Sequence, residues 1–195
     1  MSSPNRSDAC SSFAEVIVGT RSLAGLVGVA LLVVGNLGAQ AAPSTAAGFT
    51  SEFLLLFNES MGKFVALAEA TPADKYGWSP GPGTMTVAKV YAHVARYNYM
   101  YPATALGAPA PEGRDGDAAE DIADKARLVE RLKQSGDHVR AVTAALANPG
   151  KETTLYRRQV PEWSVLLQLL AHMNEHLGQS IAYARVNGIV PPWSR

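Results

Sequence analysis

Four stretches of this chain carry apolar residues at the spacing of an α-helix, and proline- and glycine-rich segments separate them. Apolar residues three and four apart line one helix face, and that face must be buried against another element. The first stretch runs from about Thr50 to Ala70, with Phe53, Leu54, Phe57, Met61, Phe64, Val65 and Ala68 as its stripe. Thr50 or Ser51 can cap it, and Thr71-Pro72 stops it. The second runs from Thr86 to about Tyr101 on Val87, Val90, Val94 and Tyr97, and Pro102 ends it. The third covers about Asp121 to Ala147, with acidic residues gathered where they complement the helix dipole. Its stripe is Ile122, Val129, Leu132, Val139, Val142 and Leu146, closed by Asn148-Pro149-Gly150. The fourth runs from Pro161 to Val186, with Asn187-Gly188 as its C-terminal signal. The stretches between, PATALGAPAPEGRDGDAAED and KETTLYRRQV, read as irregular. No strand-like alternation of useful length is present.

These signals predict an all-α fold, a four-helix bundle. The connection between the second and third helices is the longest, and a long connection permits a crossover that leaves two helices parallel. The expected order is therefore up-down-down-up. The chain has 195 residues, which supports one core rather than two. Its 17 basic and 17 acidic residues cancel, and no Lys/Arg run occurs. That argues against nucleic acid, whose recognition rewards clustered positive charge.

The first forty residues read differently. Leu23 to Ala42, LAGLVGVALLVVGNLGAQAA, holds no charged residue and follows Arg21 directly. Ala39 and Ala41 are spaced as an A-x-A cleavage site. Together these predict a signal peptide over residues 1–41, cut after Ala41, and export to the periplasm or the medium. The mature domain would then be residues 42–195. An uncleaved membrane anchor is the alternative, but Asn36, Gly38 and Gln40 suit a membrane poorly. A single cysteine, Cys10, can form no internal disulfide and is given no role.

Three of the four histidines stand out. His172 and His176 lie four apart on the fourth helix, so their side chains project from one face, one turn apart. Two imidazoles so placed can grip one metal ion at about 2.0–2.1 Å per bond. His93 lies mid-way along the second helix, beside the inward positions Val90, Val94 and Tyr97, and is the candidate third ligand. Spacing alone leaves a second reading open, in which these are hydrogen-bonded core histidines. His138 follows Asp137 and reads as a solvated side chain. The run His172-Met-Asn-Glu-His176 also matches H-x-x-E-H of inverted zinc peptidases. That motif needs a further acidic ligand downstream, and no Asp or Glu follows His176. Glu175 can border the site as a base, or simply face solvent.

The sequence HMNEHLGQ, followed by IAYARVNGIVPP, resembles the last helix of the DinB/YfiT-like superfamily. Gly178-Gln179 matches the family's Gly-Gln pair, and Arg185, Gly188, Pro191 and Pro192 match its closing R-x-x-G-x-x-P-P. The capped helix from Thr86 to His93 and the loop YGWSPGPGTMTV are similar too. The resemblance implies an up-down-down-up four-helix bundle and a tri-histidine site for nickel or zinc, with His93, His172 and His176 as ligands. It also admits a homodimer. Some family members resemble metal-dependent thiol S-transferases or isomerases. The expected function is accordingly a metal-dependent hydrolase or thiol-type transferase acting on an unknown small molecule, with Tyr97, Gln179 and Tyr183 lining its pocket. A non-catalytic metal- or ligand-binding module of the cell envelope is the alternative, and a purely structural bundle is the third reading.

Overall fold

The structure is a computed structural model that describes residues 45–194, so the expected signal peptide and Cys10 lie outside the described residues. Four helices form the frame: α1 (Thr45–Ala70), α2 (Val87–Ala105), α3 (Lys125–Ala145) and α4 (Glu162–Val186). Helices α1 and α2 each pack on both α3 and α4. The stripes read from the sequence for the first three helices face inward: Phe57 and Phe64 of α1, Val90 and Val94 of α2, and Leu132 and Val139 of α3 are buried. Leu166, Leu169 and Met173 of α4 are buried too. None of these helices is long and apolar enough to cross a membrane.

The caps explain where the helices begin. The Thr86 hydroxyl accepts the Lys89 amide at 3.1 Å, and Asp124 accepts the Arg127 amide at 2.8 Å. The third helix therefore starts at its Asp124 cap, not at Asp121. The second helix does not stop at Pro102. It runs one further turn to Ala105, and the Pro102 carbonyl accepts the Leu106 amide. Proline lacks only its own N–H, so a final turn beyond it remains available.

The all-α expectation needs one correction. The stretch expected to be irregular forms a two-stranded antiparallel hairpin, β1 (Glu152–Leu155) and β2 (Arg158–Pro161). Leu155 pairs with Arg158, leaving Tyr156 and Arg157 as a two-residue turn. Both have positive φ, at 49° and 63°. That backbone is the hairpin turn that ordinarily uses Asn-Gly, and two bulky residues hold it at a conformational cost. The hairpin is tied to the bundle where the Thr153 hydroxyl donates to the Ala105 carbonyl and the Glu162 amide to the Lys151 carbonyl. The loop before Glu120 is not wholly irregular either, since Asp117–Glu120 forms a 3-10 turn packed on α2.

Arg157 is exposed and carries the larger φ, so glycine there should relieve strain without removing a buried contact. Arg157→Gly is expected to raise unfolding stability by about 1 kcal/mol. Urea melts of the two proteins check this, and an equal or lower midpoint would show that the turn is not strained.

Candidate metal centre

Helix α4 presents His172 and His176 one turn apart, and α2 brings His93 between them. The rings stand 5.1 Å (His93–His172), 4.8 Å (His93–His176) and 4.6 Å (His172–His176) apart, centre to centre. One ring nitrogen from each lies within 4.8 Å of the others, so the three can hold a metal ion. The structure thus brings together all three candidate ligands. His176 is buried, and the other two are half-buried.

Hydrogen bonds orient two of the rings. His93 Nδ1 lies 2.8 Å from Glu120 Oε1. A carboxylate only accepts, so this nitrogen carries the proton and Nε2 turns its lone pair toward the site. His176 Nδ1 lies 2.8 Å from Gln179 Oε1, and Gln179 Nε2 donates to the Tyr183 hydroxyl at 2.9 Å. With the amide so placed, His176 also donates from Nδ1 and frees Nε2. His172 is held by rings instead. Tyr97 lies 4.3 Å from it and Tyr101 5.9 Å, and Tyr97 is also 4.5 Å from His93.

The donor set fits a divalent transition metal. His93 Nε2 and His172 Nε2 are 3.2 Å apart. Bonds of about 2.0–2.1 Å place two ligands on one ion about 2.9–3.4 Å apart, for octahedral to tetrahedral angles. Three neutral imidazoles suit zinc, nickel, cobalt or copper. Burial, with His176 and His93 nearby, pushes the His172 value down to about 3. Burial also lowers His93, against the opposing pull of Glu120. Both rings are therefore neutral at neutral pH, the form that binds metal.

Glu120 was not legible as part of this site. Its side chain is 7% exposed, yet it is ionised. Burial would raise its pKa, but hydrogen bonds from Arg96 and His93 outweigh that and lower it. Arg96 Nη1 donates to Glu120 Oε1 at 2.9 Å, and Nη2 pairs with Asp117 at 2.6 Å. Arg96 also donates from Nε to the Asp115 carbonyl. The one available signal was chemical: a metal-binding imidazole commonly donates its other nitrogen to a carboxylate. Nothing in DGDAAED distinguished Glu120 from its neighbours.

The remaining expectations divide. Tyr97 walls the site, Gln179 holds His176, and Tyr183 holds Gln179 while packing on Trp78 at 5.3 Å. Glu175 is exposed, as its solvent-facing reading has it. His138 is a correction: it is half-buried, 5.0 Å from the Tyr99 ring, because α3 turns that face toward α2. The hairpin adds a residue the sequence did not suggest, since the Tyr156 hydroxyl meets that of Tyr101 at 2.6 Å, on the outer side of the His172 wall.

A family model described as the DinB superfamily matches residues 56–184. Among solved structures, a DinB-like protein from Bacillus cereus ATCC 10987 is similar, with 16% identity and a TM-score of 0.64. The match covers 73% of this chain and 95% of that one, and it shows a shared fold. No curated protein gives a significant match.

The low His172 value has a consequence for the metal-free protein. The unfolded ring takes its proton near pH 6.5, the folded ring near 3. Between them the unfolded state binds more protons, so stability is complete above about 6.5 and falls as pH drops toward 3. Urea midpoints across this range are expected to fall for the metal-free chain and to fall less for His172→Gln. Parallel curves would place His172 in contact with water.

Proposed function

The chain belongs to the DinB superfamily, and on that basis we propose that His93, His172 and His176 hold one divalent ion, zinc or nickel, as an open centre for hydrolase or thiol-transferase chemistry on a small molecule. The observation that carries this reading is the convergence of three imidazole nitrogens from two helices within 4.8 Å. Three protein ligands leave a position free, which is the catalytic arrangement and not the closed structural one. When bound, the metal would acidify a water or thiol and so supply a nucleophile near neutral pH.

The chain's own residues do the rest. Glu120 fixes the His93 ring and raises its basicity from behind, while Gln179 does the orienting for His176. Tyr97 and Tyr101 exclude water from one side of His172. The proposed bundle order is up-down-down-up. Phe49 meets Trp163 and Ser60 bonds Asn174, which supports α1 and α4 running together. Lys125 donates to the Glu69 carbonyl, which supports α3 running against α1. Val87 and Ala184 line one small cavity while Tyr101 neighbours His172, which supports α2 running against α4.

We also propose export, with residues 1–41 as a cleaved signal peptide and residues 42–195 as the mature domain. The support is the uncharged run Leu23–Ala42 after Arg21 and the Ala39/Ala41 spacing. Thiol cofactors are scarce outside the cytoplasm, so export favours the hydrolase branch.

Native mass spectrometry of the purified protein, with elemental analysis, is expected to find one metal ion per chain. The double variant His172→Ala, His176→Ala should bind none, and equal, negligible metal in both would end this reading. Glu120→Gln is expected to weaken metal affinity roughly 10–100-fold. Stoichiometric metal without metal-dependent turnover on ester, amide, epoxide and thiol panels would leave the non-catalytic binding module in its place.

A further inference from the structure

No basic run exists in the sequence, yet the fold assembles three arginines around one cleft. Arg127 and Arg131 are four apart on α3, and Arg114 reaches them from the loop between α2 and α3. The cleft has a volume of about 180 Å³, with Ile122, Glu130 and Gln134 completing its lining. None of the three arginines has an ion-pair partner among the described residues. Four nearby acids already have partners: Glu120 and Asp117 pair with Arg96, Asp137 with Arg140, and Glu130 accepts the Gln134 amide at 2.8 Å.

Such an arrangement is unfavourable as it stands. Like charges four apart on a helix repel. Burial, then the charges of Arg114 and Arg127, lower the Arg131 pKa. Arg131 donates from Nη1 to the Ala119 carbonyl at 2.9 Å, but its buried Nε has no hydrogen-bond partner. That nitrogen is shut off from solvent, so a ligand in the cleft would meet the outer guanidinium N–H groups instead. A planar guanidinium presents parallel N–H groups that match the oxygens of a phosphate or carboxylate, and charge-assisted bonds of this kind are the strong ones.

We propose that Arg114, Arg127 and Arg131 form a binding site for a small oxyanion, a phosphate or carboxylate group, separate from the histidine centre. Ile122 supplies an apolar wall for the part of the ligand that carries the group. Glu130, also in the lining, is tied to the Gln134 amide. The site stands whether or not the histidines bind metal. It shares their scaffold, because Ala119, held by Arg131, directly precedes Glu120, which holds His93.

Calorimetric titration of the full, metal-free chain with inorganic phosphate and separately with citrate, at ionic strength fixed with sodium chloride, tests the site. Saturable one-to-one binding of at least one of them is expected, and which one binds names the group. Arg127 is exposed, so Arg127→Gln should fold normally and weaken binding at least tenfold. Arg131→Lys, which keeps the charge and loses the fork, should fall between the two. Absence of saturable binding by either anion, or equal affinity in wild type and Arg127→Gln, would overturn the proposal.

Discussion

The Glu120 carboxylate is withdrawn from water against α2, where a bare charge would cost several kcal/mol. Three groups of α2 meet it: His93, Arg96 and, at 3.7 Å, the Lys89 ammonium. The same contacts that make the burial tolerable anchor the long loop and set the tautomer of His93. Without that carboxylate the lone pair of His93 would have no reason to face α4. The histidine cluster therefore depends on a residue that belongs to none of the four helices.

On the other side, α4 needs no such support. Two residues four apart on a helix share a face by geometry alone. What α4 requires is depth. Leu169 and Met173 bury beside His172, and Tyr97 and Tyr101 cover its ring. That packing strips water from His172 and keeps it neutral. The hairpin extends the wall through Tyr156, at the expense of two bulky residues in left-handed backbone. Strain of this sort survives where the surrounding structure over-determines it, and here Thr153 of β1 is bonded to α2 and Lys151, just before β1, to the start of α4.

Much of this was readable beforehand, for reasons visible at single residues. Thr86 caps α2 because a short side-chain oxygen reaches an amide three residues on, whereas the same role of Asp124 was hidden among the acids around Asp121. Phe57, Phe64, Leu132 and Val139 are core because helical period left them one place to go. The hairpin was not readable. Thr153, Thr154 and Val160 are good strand residues, but its turn lacks the Asn-Gly signal and uses Tyr156-Arg157. His138 read as solvated because its burial comes from Tyr99, a partner thirty-nine places earlier in the chain.

The sequence by itself determined the four helices, the faces they bury and the pairing of His172 with His176. All of these follow from residue spacing within one element. Only the tertiary structure decided that Glu120 stands behind His93, that Tyr156 reaches Tyr101, and that three scattered arginines line one cleft. Each of those joins residues from different elements. Their placement depends on how loops cross the bundle, and no periodicity along the chain records that.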